Sequence, residues 1–137
     1  MTPGERLAAH ARSLLGTRFR LHGRDPATGL DCVGLVLDCL AAAGCPLAVP
    51  ACYRLHNTDI APFLKLSERH DVSTADLPWQ PGDILLVSPG PAQHHLLVAL
   101  GPDSFVHAHA ALRRVVETPV THPTRLPWPI LRHWRLT

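Results

Sequence analysis

No stretch of this sequence approaches the roughly 18 consecutive apolar residues that a membrane span needs. A membrane partner is therefore not expected. Lysine is nearly absent, with Lys65 standing alone, and 13 basic residues against 11 acidic ones leave a formal charge of only +2. Scattered arginines at so small an excess argue against a nucleic-acid partner. No C-x-x-C pair occurs. Cys32, Cys39, Cys45 and Cys52 are spaced by six or seven residues, which excludes zinc-ribbon and thioredoxin-like readings. The N-terminal MTPGERLAAHARSLLG lacks the apolar core and the small-residue cleavage site of a signal peptide. The expectation is synthesis in the cytoplasm with reduced thiols, export falling to a separate apparatus.

What is present is ordinary globular material. The 137 residues are 46% hydrophobic and 18% charged, enough for one domain over residues 1–137 with its own core. Leu7, Ala11, Leu14 and Leu15 form one apolar stripe, predicting a helix from Pro3 to Leu15 that Gly16 stops. The following GTRFRLHGRDPATGLDC reads as loop. Asp31 can cap a second helix over Cys32–Ala43, apolar almost all round and therefore central. Thr58–Arg69 predicts a short third helix with Ile60, Phe63, Leu64 and Leu66 inward. Five strand-like runs follow: Asp83–Val87, His95–Leu100, Ser104–Ala108, Arg113–Glu117 and Ile130–Leu136. The proline-rich TPVTHPTRLPWP reads as a connection between the last two. Helices first and strands second predict an α+β fold, with N-terminal helices on an antiparallel sheet of about five strands.

Cys32 falls in the first turn of the buried helix. Free N–H groups and the positive dipole end favour an anion there, which predicts a thiolate near neutral pH and a ready oxyanion site. A small buried apolar side chain is the alternative. Cys39, Cys45 and Cys52 read as structural. A thiol nucleophile needs a base, and the base an orienter. His95 and His107 lie on consecutive strands. They share a face only if the connecting loop is odd, as Gly101-Pro102-Asp103 would make it, with His107 then diagonal to His95. A four-residue loop would separate them. His94 should point away from His95, His109 shares the His107 face, and His10, His22, His56, His70, His122 and His133 read as solvated surface. No two histidines have the spacing of a helical ligand pair, so no metal is expected. The chemistry asks for no cofactor.

These segments together resemble the NlpC/p60 cysteine peptidases. Gly16-Thr17-Arg18-Phe19, Gly23-Arg24-Asp25-Pro26 and Gly29-Leu30-Asp31-Cys32-Val33-Gly34-Leu35-Val36 look like that family's nucleophile region. Pro81-Gly82-Asp83-Ile84-Leu85 resembles its Gly-Asp strand, His95–Gly101 the strand of its histidine, and Phe105–Ala108 that of its third polar residue. The resemblance spans about Leu14 to Ala110 in the family's order, and Val115-Val116-Glu117 fits the next strand. It implies a papain-like α+β fold and hydrolysis of amide bonds in peptidoglycan peptides, commonly beside D-γ-glutamyl and diaminopimelate units. By position it implies Cys32 as nucleophile, His95 as base and acid, and His107 as orienter.

The Arg-Asp-Pro before Gly-Leu-Asp-Cys-Val-Gly looks most like the branch found with phage tails and gene-transfer agents. That branch implies tail-protein partners and delivery to the wall by a particle. Two positions depart from the family. Phe19 stands where many members have tyrosine, and Val33 where many have serine; with Asp31 these are the candidate substrate-binding residues. Two other functions stay open: a non-catalytic tail component keeping the fold, and an acyl transferase or thioesterase using the same Cys–His pair.

Overall fold

The structure, a computed structural model, describes residues 1–48, 61–91, 93–122 and 126–137. Cys52, His56 and the Thr58–Ile60 start of the expected third helix lie outside the described residues.

Helix α1 spans Pro3–Ser13. Thr2 and Glu5 close a capping box at its start, each side chain accepting the other's backbone N–H at 3.0 Å. Its stripe of Leu7, Ala11 and Leu14 is buried, as the spacing predicts. The expected loop contains a small hairpin, β1 (Arg24–Asp25) and β2 (Gly29–Leu30). Strands of two residues carry no alternation, so the pattern could not reveal them. Helix α2 (Cys32–Ala42) follows, with Asp31 accepting the Gly34 N–H at 2.8 Å. Leu35, Val36, Cys39 and Leu40 are fully buried, so α2 is the central helix its composition predicts. Gly34 has no room for a side chain, because the Gly23 carbonyl oxygen occupies the place of a Cβ. That contact seats the loop directly against the start of α2.

Of the third helix, the described part is a turn of α3 (Ala61–Leu64) and a 3-10 turn at Lys65–Glu68, with Phe63 and Leu66 buried. Six strands make the main sheet: β3 (Val72–Thr74), β4 (Ile84–Val87), β5 (His95–Ala99), β6 (Ser104–His109), β7 (Arg114–Pro119) and β8 (Ile130–Leu136). Their spatial order is β3-β8-β4-β5-β6-β7, all pairs antiparallel. The α+β class and the five expected strands are all there. The sixth, β3, is a three-residue edge with one buried apolar side chain, too little to stand out in the sequence.

Every residue of β4 is buried because both faces of the sheet are covered. Ile84 and Leu86 join the core shared with α1 and α2, while Leu85 and Val87 join Trp79, Leu97, Ala99 and Phe105 on the other side. The β5–β6 connection settles the open question of register. Val98 pairs with Val106 and Ala99 with Phe105, leaving the loop odd at Gly101-Pro102-Asp103. His107 therefore comes up diagonal to His95 on the same face.

Candidate active site

The N-terminus of α2 meets the start of β5. The Leu96, Val33 and Cys32 N–H groups face the Cys32 sulfur. Leu96 adjoins His95, and Cys32 and His95 line one open cleft of about 300 Å³. Two other first-turn amides are already committed, Gly34 to the Asp31 carboxylate and Leu35 to the Asp31 carbonyl. Those of Cys32 and Val33 remain for an oxyanion beside the sulfur.

His95 Nε2 lies 2.8 Å from His107 Nδ1, and His107 Nε2 lies 2.9 Å from the Thr118 hydroxyl. Sequence reasoning missed Thr118, leaving it in the proline-rich connection beyond the expected strand. In the structure β7 runs on to Pro119, an edge strand being the place where a sheet tolerates proline. Thr118 stands opposite Phe105 on the histidine face. The signal that could have found it is alternation from Val116, which requires knowing that β7 extends.

The chain has one arrangement suited to general-base work. With a proton on His107 Nε2 donated to Thr118, His107 Nδ1 accepts the N–H of His95 Nε2, and His95 Nδ1 keeps a lone pair. Thr118→Val is therefore expected to lower kcat about tenfold with little change in KM, and Thr118→Ser to restore it. Steady-state kinetics on the three proteins check this.

The electrostatics differ from the expected thiolate. Burial pushes the Cys32 thiol up to about 12, Asp31 adds to the rise, and the facing N–H groups only partly oppose it. Burial lowers His95 to about 3, with His107 and His109 contributing, and lowers His107 to about 4, with His109 contributing. The resting pair is thus a thiol beside a neutral imidazole. The physical reason is that desolvation outweighs one helix terminus when no cation faces the sulfur. Proton transfer from Cys32 to His95 creates both charges together, and each then offsets the burial cost of the other. Activity is expected to stay level from pH 7 down to about pH 5, with no step near the ordinary imidazole value of about 6.5. A pH–rate profile checks this. The unfolded chain takes protons on both histidines below about pH 6.5 while the folded chain does not. Stability should therefore fall as pH drops from about 6.5 toward 4 and 3, the values of His107 and His95. Urea midpoints across that range read it directly.

The three expected substrate contacts separate. Phe19 lines the cleft. The Val33 side chain packs against the core of α1 and α2 instead, and only its N–H faces the sulfur. Asp31 is 1% exposed, and its two oxygens take the N–H groups of Gly34 and His22, both at 2.8 Å. In this structure it is a cap and a loop tether. Several histidines also depart from the surface reading. His94 and His109 line the cleft, and Leu112 N–H donates to His109 Nδ1 at 3.1 Å. His10 is half-buried against Asp38 at 2.7 Å. His133 is buried on Asp83, at 2.5 Å. Trp128, which the sequence did not single out, sets its ring 6.2 Å from that of His95 as a cleft wall. Among the described residues no group of three or more His, Cys, Asp or Glu is placed to hold a metal ion.

Cys32 at the start of α2 and the imidazoles of His95 and His107 on the antiparallel sheet thus share one cleft, the residue types from which a thiol nucleophile and its base are built. Residues 16–127 match the NlpC/P60 family, and the chain belongs to that family. Its fold is shared with NlpC2 from Trichomonas vaginalis (TM-score 0.69, 18% identity, covering 96% of this chain and 45% of that one). It is shared also with an NlpC/P60 family protein from Bacillus cereus (0.68, 20%, covering 97% and 40%). The NlpC/p60 domain of the peptidoglycan hydrolase SagA is similar over 85% of this chain and 88% of its own (0.58, 24%). The chain thus spans less than half the length of the first two. No curated protein matches it.

Proposed function

We propose that this chain is a cysteine amidohydrolase that cleaves amide bonds in peptidoglycan stem peptides, of the D-γ-glutamyl–diaminopimelate type. Residues 1–137 act as one catalytic unit, brought to the wall by a phage-like particle whose tail proteins are its partners. The observation that carries the reading is that Cys32, His95 and His107 line one cleft, with His95 bonded to His107 and His107 to Thr118.

His95 Nδ1 takes the thiol proton as sulfur attacks the scissile carbonyl carbon. The oxyanion rests on the Cys32 and Val33 N–H groups. His95 returns the proton to the leaving nitrogen as the C–N bond breaks, and the amine departs. Water, deprotonated by His95, then releases the acyl group from sulfur. His107 and Thr118 hold the His95 ring in the accepting tautomer throughout. Phe19, lacking a hydroxyl, supplies an apolar wall. Digestion of purified wall fragments, followed by mass identification of the newly freed amine, tests the reading. A new diaminopimelate amine supports it. No new amine from any fragment, with the chain folded, overturns it.

A further inference from the structure

The line of rings along the cleft continues into arginine. His107 packs 5.1 Å from His95, and His109 5.5 Å from His107, between ring centroids. β7 sets Arg114 opposite His109, and a bridge from the segment before β1 sets Arg18 opposite Arg114. Side chains directly opposite across antiparallel strands share a face. His109, Arg114 and Arg18 therefore stand in one line on the face of the catalytic histidines. The Arg18 segment is also the segment of Phe19, whose N–H donates to the Arg113 carbonyl at 2.9 Å and whose ring lines the cleft.

Arg18 and Arg114 are both exposed. Among the described residues, no carboxylate pairs with either. The acid of β7, Glu117, lies on the opposite face, where the Ser104 hydroxyl donates to it at 2.8 Å and Arg12 approaches to 3.9 Å. Two like charges set directly opposite repel one another. An anion shared between two guanidinium forks reverses the sign of that interaction. At about 4.8 Å per strand, Arg114 stands roughly 10 Å and Arg18 roughly 14 Å from the strand of His95. An extended peptide covers that span in about three or four residues.

We infer that Arg18 and Arg114 form a subsite for a carboxylate of the bound peptide, a few residues beyond the scissile carbonyl. The inference rests on the amidohydrolase reading for its choice of ligand. A peptide carboxylate is favoured over a nucleic-acid phosphate because the two arginines continue the cleft in single file, on a chain of net charge only +2.

The test uses two synthetic peptides in which γ-D-glutamyl–diaminopimelate is followed by three further residues, one with a free C-terminal carboxylate and one amidated only there. Kd by calorimetry and kcat and KM by chromatography are measured for the wild-type chain and for Arg18→Gln/Arg114→Gln. Arg132→Gln, exposed on β8, removes a charge elsewhere as a control. The wild-type chain and the control are expected to bind the free-carboxylate peptide about tenfold more tightly than the amidated one. The gap should narrow as salt rises and close in the double variant. Equal Kd for both peptides on the wild-type chain, or the same gap in the double variant, overturns the subsite. A short single-stranded DNA arm binding more tightly than either peptide, and lost in the double variant, overturns it too. A chain that shows the gap but cleaves neither peptide sinks the hydrolase reading and leaves the subsite standing.

Discussion

Cys32→Ala is expected to reduce cleavage of a wall peptide by at least about 10⁴-fold in kcat. In the proposed mechanism the sulfur supplies the bond-forming pair, and among the described residues no other thiol lines the cleft. Cys39 is buried inside α2 and Cys45 is buried in the core of the two helices. Cys32→Ser should be nearly as inactive. A hydroxyl is harder to deprotonate than a thiol, and burial here already holds the thiol up at about 12. Neither substitution should unfold the chain, because the Asp31 cap and the α2 core do not depend on the sulfur. Adding His95→Ala to Cys32→Ala should cost little more, since residues that act as a unit are far from additive. The checks are kcat for each variant and its urea midpoint. Cleavage at the wild-type rate by folded Cys32→Ala would end the covalent mechanism.

Asp83→Ala is expected to destabilise the fold by about 3–5 kcal/mol, the usual cost of removing one partner of a buried ion pair. Asp83 is fully buried. Its oxygens accept Arg135 Nε at 2.9 Å, Arg135 Nη2 at 2.8 Å, His133 Nε2 at 2.5 Å and the Gln80 N–H at 2.9 Å. The carboxylate thereby ties the turn before β4 to β8, which is what places the C-terminal strand inside the sheet. Burial alone would raise its carboxyl, but the bonds from His133, Arg135 and Gln80 outweigh it and hold the group below the usual carboxylate range. A lowered folded value gives stability that is present above about pH 3.9 and lost as pH falls through the folded value. The variant should therefore show a lower urea midpoint at pH 7 and a shallower loss on acidification below about pH 4. Its m-value should stay unchanged. Asp83 does not line the cleft, so kcat should be nearly normal in the folded fraction. A midpoint equal to that of the wild-type chain would show that the network contributes nothing.

Both expectations involve residues that were visible in the sequence, though in different ways. Cys32 was legible because a helix start announces itself locally: Asp31 before an apolar run, a glycine-rich loop ahead of it. Asp83 was visible only as part of a Gly-Asp strand motif. Its partners His133 and Arg135 sit about 50 residues away in the chain, and only the pairing of β8 with β4 takes His133 from the surface position that its sequence suggests to a buried one. Thr118 was hidden for a related reason. Proline beside it signalled a connection, and only the place of β7 at the sheet edge shows why a strand could continue to Pro119.

The sequence by itself determined the two N-terminal helices, the strands β4 to β8, and the position of Cys32 at the first turn of α2. Each of these depends on short-range capping and periodicity, which neighbouring residues carry alone. Tertiary structure decided which of two registers β5 and β6 adopt, and so whether His107 reaches His95. It also decided the charge state of the site. A helix terminus favours a thiolate, but the protein packed around Cys32 displaces part of the water that would stabilise one and raises the thiol, and desolvation is a property of everything that surrounds an atom rather than of the residues beside it in the chain.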